Sequence, residues 1–201
     1  IGRGVNNVSY LYALNTDTSD FKWEWSPESS RDHSFAWPIP ILGPDGTIYI
    51  QDEELAHLYA VKDLGRIHAV RWALHRTGNG SPRLGAATTA GYFGQYTATE
   101  TAKPVVFAVD PDGTERWRHP LDAGETGGLL VTRNGLYFGM NGTGVVYALD
   151  PATGTLMWRK QVGTATGGFS EGLTVGRDGT LYAGVDGTPE HPNEASLIAL
   201  K

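Results

Sequence analysis

The stretch ALDPATGTLMW, Ala148 to Trp158, decides the fold. It has the form A-x-D-x-x-T-G-x-x-x-W. An apolar strand runs into a polar turn that ends in glycine, and a second strand leads to tryptophan. Asp at the head of such a turn accepts backbone N–H groups, and Gly supplies the positive φ that closes it. Trp buries a large surface yet keeps one N–H that needs a partner.

Working outward, the same landmarks recur. Tight turns followed by short apolar strands occur at PDGTIYI (44–50), TAGYFGQY (89–96), RNGLYFG (133–139) and RDGTLYAG (177–184). Their turn residues Asp45, Ala90, Asn134 and Asp178 are 45, 44 and 44 positions apart. Ala-containing strands follow at YLYALN (10–15), LYAVK (58–62), VFAVD (106–110), VYALD (146–150) and LIALK (197–201). Trp-ending segments close the period at FKWEW (21–25), HAVRW (68–72), TERW (114–117) and TLMW (155–158).

With one more strand before each turn, as in GGLLVT (127–132) and EGLTVG (171–176), each period holds four strands, A to D. Four-stranded antiparallel sheets repeating every ~44 residues predict an all-β propeller. We expect a partial blade over 1–30, blades over 31–75, 76–120 and 121–162, and a partial blade over 163–201. The chain is read as opening at strand C and as running through 17 strands. Such a chain is either a segment of a larger ring of about seven or eight blades or part of a ring completed by another chain, with a compact five-bladed closure as the remaining form.

Bulk composition agrees. Of 201 residues, 40% are hydrophobic, and 27 Gly and 11 Pro are spread along the whole length, as many short strands and turns require. A formal charge of −6 argues against a nucleic-acid partner, which selects a basic face. No apolar run approaches the ~18 residues of a membrane span. IGRGVNNVSY (1–10) lacks the regions of a signal peptide, as a mature exported chain also would. The absence of Cys removes disulfides, thiolate zinc sites, iron–sulfur clusters and c-type haem attachment.

The repeats resemble the pyrroloquinoline-quinone (PQQ) type of propeller repeat, a family that includes the quinoprotein alcohol dehydrogenases and the outer-membrane assembly lipoprotein BamB. Ala148, Asp150, Thr153, Gly154 and Trp158 match its full motif; Ala108, Asp110, Gly113 and Trp117 match a form one residue shorter. ALNTDTSDFKWEW (13–25) and AVKDLGRIHAVRW (60–72) keep Ala and Trp but lose the Asp or the turn. The resemblance implies a tryptophan dock, in which Trp stacks over the next blade's turn and donates to a backbone carbonyl. Trp158 is therefore expected to be buried, and Trp158→Ala to cost about 3–5 kcal/mol.

The family's enzymes imply PQQ with Ca²⁺ held by acidic and amide side chains, and their alcohol-oxidising branch a lid of two adjacent Cys, which this chain does not have. DPDG (110–113) reads as a turn and QDEE (51–54) as a solvated loop, so no metal site is expected. Loops following strand D share a face with the B–C loops. Asp32, His33, His75, Arg76, Arg83, Arg118, His119, Glu125 and Glu171 are the binding-face candidates there. Three His from different blades can bind a metal, though no spacing rule supports it. Trp37 reads as packing between blades. NVS (7–9) and NGT (141–143) fit the glycosylation acceptor pattern, which matters only in a eukaryotic secreted chain.

The leading expectation is a non-catalytic scaffold, without cofactor, that binds another protein or the remainder of its propeller. A homo-oligomer completing the ring is included, and the resemblance implies a periplasmic or secreted location. The alternative is the cofactor-binding segment of a PQQ/Ca²⁺ dehydrogenase. A third reading is a carbohydrate-binding or sensor domain using Tyr92, Phe93 and Tyr96, residues whose strand pattern equally fits a core.

Overall fold

A computed structural model describes residues 2–3, 9–27, 39–51, 56–76, 78–80, 85–98, 101, 103–122, 125–162, 169–185 and 195–201. Every regular element among them is a strand. The first sheet holds β1 (Gly2–Arg3), β2 (Ser9–Leu14) and β3 (Phe21–Trp25). The second runs β4 (Ile41–Leu42), β5 (Thr47–Gln51), β6 (Leu58–Asp63) and β7 (His68–Leu74).

In the third sheet, β8 (Gly78–Gly80) and β9 (Ala86–Thr88) both pair with β10 (Gly91–Ala98), followed by β11 (Lys103–Val109) and β12 (Glu115–Pro120). The fourth repeats this with β13 (Glu125–Thr126) and β14 (Leu130–Val131) on β15 (Leu136–Asn141), then β16 (Val145–Leu149) and β17 (Leu156–Gln161). The fifth has β18 (Phe169–Val175), β19 (Leu181–Val185) and β20 (Ser196–Leu200). All these pairings are antiparallel, and the second, third and fourth strands of a blade follow one another in sequence, as hairpin connections require. These are propeller blades.

Two features depart from the sequence reading. The chain does not open at strand C, because Gly2 and Arg3 pair with Tyr10 and Ser9 as an extra strand. A two-residue strand carries no periodicity to detect. Strand A of the third and fourth blades is split into two short pieces on one partner.

The core is not one mass but a series of seams. Leu11 and Trp23 pack with Ile50 and Val61 between the first two blades. Tyr49 and Leu58 meet Tyr92 and Phe107 between the second and third. Phe93 and Val106 meet Leu136 and Phe138 at the third seam. Val146 meets Phe169 and Ala183 at the fourth. Each blade thus buries its faces against its neighbours, the nearest-neighbour logic of a repeat protein. Tyr92, Phe93 and Tyr96 are core residues of these seams, at 4% exposure or less, so the carbohydrate-binding reading has no exposed aromatic there.

Candidate functional site

In four blades the motif Ala lies directly opposite the motif Trp on the neighbouring strand: Ala13 on Trp23, Ala60 on Trp72, Ala108 on Trp117 and Ala148 on Trp158. In each the register shifts immediately after that Ala. A bulge increases local twist and re-aims the side chain beside it. Here it recurs beside each Trp, at the outer strand of each blade. The small Ala side chain leaves room for the indole.

Two docks follow the expected geometry. Trp72 Nε1 donates to the Pro111 carbonyl at 3.0 Å, and Trp117 Nε1 to the Pro151 carbonyl at 3.1 Å. Gly113 and Gly154, with φ of +94° and +72°, lie under these indoles. A Cβ on Gly113 would sit 2.7 Å from Trp72, and one on Gly154 2.5 Å from Trp117. Glycine is required twice over, for the backbone and for the ring. Asp150 Oδ1 accepts the backbone N–H of Ala152 at 2.7 Å and of Thr153 at 2.9 Å, holding the turn in shape.

The two incomplete copies keep more than their sequence suggests. Asp63 Oδ1 accepts Trp23 Nε1 at 2.9 Å and Gly65 N–H at 2.8 Å, while Lys22 reaches Asp63 Oδ2 at 2.9 Å. These bonds hold the Asp63 carboxyl down at about 2, the Trp23 and Lys22 bonds contributing most. A carboxylate thus replaces the carbonyl as acceptor, shifted along the turn. In the first blade Asn15 Oδ1 accepts Asp17 N–H at 3.0 Å, and Ser19 takes a positive φ of 60° where other blades have Gly. The readable signals were the D-x-G of Asp63–Gly65 and the Asx character of Asn15.

A further pattern escaped the sequence reading. The residue before Trp is a cation in three blades and braces the turns: Lys22 on Asp63, Arg71 on Asp45, and Arg116 on Asp110 and the carbonyls of Ala90 and Pro151. In the fourth blade that place is Met157, half-exposed.

Trp158 departs from its sisters. It keeps its contact with Tyr137 at 5.9 Å between ring centroids, as Trp72 keeps Tyr49 and Trp117 keeps Phe93. Yet it is 37% exposed where Trp117 is 9%, so the expectation of a buried Trp158 is corrected. The reason is geometric, since each docked Trp is covered by the C–D turn of the following blade. Trp158 instead faces a cleft of about 540 Å3 toward β19 and β20.

Of the binding-face candidates, Asp32, His33 and Arg83 lie outside the described residues, as do Trp37 and residues 52–54 of QDEE. Glu125 falls on β13 and Glu171 on β18, with their side chains outside the description. His75 packs on His57 at 4.4 Å between ring centroids, and burial, then His75, lowers the pKa of His57. Arg76 is buried, ion-paired with Glu115 at 3.0 Å, with its guanidinium 3.7 Å from the Phe107 ring centroid. Burial pulls the pKa of Arg76 down while Glu115 opposes it.

Arg118 joins the same carboxylate at 2.6 Å, so Arg76 and Arg118 meet at Glu115, a residue not among the candidates. This network joins the second blade to the third. His119 lies within β12, opposite Val106 on β11, rather than in a loop. Among the described residues no three His, Asp or Glu form a metal-type group. The turn aspartates are held by their own turns: Asp45 by Thr47, Asp112 by Thr114 and Asp178 by Thr180. Among the described residues no helix is long and apolar enough to cross a membrane.

Residues 102–191 match the family model described as outer membrane protein assembly factor BamB. No curated protein matches the sequence. Among solved structures, BamB from Moraxella catarrhalis is 17% identical over 90% of this chain and 52% of its own, with a TM-score of 0.63. The Dos1 propeller is 10% identical over 96% and 53%, at 0.65. The quinohemoprotein alcohol dehydrogenase from Comamonas testosteroni is 13% identical over 96% and 40%, at 0.60. The chain thus spans about half the length of the BamB it matches, and these likenesses establish fold. Residues 102–191 are therefore similar to the BamB-type repeat, and the described residues form propeller blades.

Proposed function

We propose that this chain is a non-catalytic, PQQ-like propeller that acts outside the cytoplasm as a rigid platform for another protein. The observation that carries the reading is the use made of the repeat's own polar residues. Asp45, Asp63, Asp110, Asp150 and Asp178 lock turns or receive a docked side chain. The buried Arg76–Glu115 pair braces a seam. These contacts make the blades and their seams rigid, which is what a platform needs. The match of residues 102–191 to an assembly factor points the same way.

The alternative, a segment of a PQQ/Ca²⁺ dehydrogenase, rests on fold alone, and one propeller supports many functions. Native mass spectrometry of the purified chain with PQQ and Ca²⁺ decides between them. The platform reading expects a mass of 21.7 kDa per chain with no quinone retained. A stoichiometric, calcium-dependent quinone adduct overturns it.

A further inference from the structure

Two histidines at the loop end of the second blade are not called for by the repeat. His57 comes three residues before the motif Ala60, and His75 three residues after the motif Trp72. The same places are held by Val105 and Pro120 in the third blade and by Val145 and Gln161 in the fourth. Each of those pairs faces across strands C and D. The fold accepts aliphatic and amide side chains there, so two imidazoles are not a packing requirement.

The blade brings the two rings to one point. β6 and β7 pair antiparallel with Leu58 opposite Leu74, and His57 and His75 stand one place further along on each chain. Side chains directly opposite on neighbouring strands share a face. The two ring centroids are 4.4 Å apart, and each is 6.2 Å from the ring of Tyr59. Tyr59 is buried, and its hydroxyl lies 3.3 Å from His57 Nδ1. His75 is exposed and His57 half-buried, so the pair is reached from solvent.

Two imidazoles that bind one ion at about 2.0–2.1 Å have centres roughly 4.5 Å apart when the angle at the ion is about 90°. The observed separation matches that spacing. Because the pair sits at the ends of packed strands, it is held there before an ion arrives.

From this spacing, and from the hydroxyl placed on one ring nitrogen of His57, we infer that His57 and His75 form a two-imidazole chelate. Its ligand is a divalent late transition-metal ion of the Cu²⁺, Ni²⁺ or Zn²⁺ class, which imidazole suits. His57 binds through Nε2, because Nδ1 donates its hydrogen to the Tyr59 hydroxyl, the kind of outer bond that orients a ligating imidazole. Water fills the remaining positions on the ion. The site differs in kind from a calcium site, whose ligands are oxygens. It goes beyond the platform reading and does not depend on it.

The test titrates Cu²⁺, and separately Ni²⁺, into the intact untagged chain by isothermal titration calorimetry in a non-chelating buffer. One saturable ion per chain is expected, with Cu²⁺ bound more tightly than Ni²⁺. His57→Gln and His75→Gln should each weaken binding about tenfold or more, and Tyr59→Phe, which removes only the hydroxyl, about tenfold. His68→Gln, on the same strand as the approach to His75 but outside the pair, should leave it unchanged. His75 is exposed, so its variant should stay folded, as circular dichroism would verify. Electron paramagnetic resonance of the Cu²⁺ complex should show two imidazole nitrogens, and one in His75→Gln.

No saturable binding, or binding that His57→Gln and His75→Gln leave intact, overturns the inference, because the two rings then only pack edge to face. An equal loss in His68→Gln also overturns it, by placing the ion elsewhere. Unchanged affinity in Tyr59→Phe overturns the role given to the hydroxyl. None of these results bears on quinone retention, so the platform reading stands or falls separately.

Discussion

Trp117 and Trp158 belong to the same motif, on the same strand of successive blades, each opposite an Ala and beside a bulge. Each touches an aromatic residue of its own blade, Phe93 or Tyr137. They differ in what lies on the other side. Trp117 is covered by Gly154 and bonded to the Pro151 carbonyl; Trp158 faces a cleft. The comparison teaches that the motif is half a device. Local sequence sets the strand, the bulge and the aim of the indole, while burial comes from a turn one blade away. The energy therefore belongs to the seam.

The largest expected effect separates the two tryptophans. Trp117→Ala should cost about 3–4 kcal/mol in urea unfolding, the range for a buried aromatic that leaves a cavity. Trp158→Ala should cost only about 1 kcal/mol, because much of its surface is already in water. Equal losses would show that the indole's own blade supplies the stability, and would break the comparison.

The turn beneath the ring gives the next effect. Gly154→Ala combines a left-handed backbone with a Cβ set 2.5 Å from the Trp117 ring, and should cost about 2–3 kcal/mol. Gly142, at φ +77°, has nothing within 4 Å of its Cβ position. Gly142→Ala should therefore cost about 1 kcal/mol, the backbone term alone. The excess at Gly154 measures the seam. Its absence would mean that the ring moves aside without loss.

Much of this was legible in the sequence and some could not be. The 44-residue period and the alternation of TIYI or VVYAL reveal the blades, because strand periodicity and turn chemistry are local. The motif implies a buried Trp158, yet burial depends on a covering turn that lies on another blade, at a distance no local pattern records. β1 escaped because two residues carry no period. The Arg76–Glu115–Arg118 network shows the same limit. Arg76 and Arg118 read as loop charges, yet Glu115 is 39 residues from Arg76, and only the blade stacking brings that pair together, while Arg118 lies three residues away on the same strand.

The first seam sharpens the comparison through pH. Trp23 donates to a carboxylate, that of Asp63, where Trp117 donates to a carbonyl. Asp63 titrates at about 2 in the folded chain, below the roughly 3.9 of an unfolded aspartate. Its contribution is thus complete above about pH 4 and lost as pH falls toward 2. The carboxylate is about one-third exposed, so solvent screening keeps the loss below about 1 kcal/mol. In an acid titration followed by nuclear magnetic resonance, the Trp23 indole N–H should shift with a midpoint near the Asp63 pKa. Asp63→Asn should abolish that shift while keeping an oxygen acceptor in place. The Trp117 indole has no protonatable acceptor and should stay nearly still over the same range. If the two indoles move together with one midpoint, acid is loosening the stack as a whole. The seams would then be coupled, rather than locked one by one by the turn each indole meets.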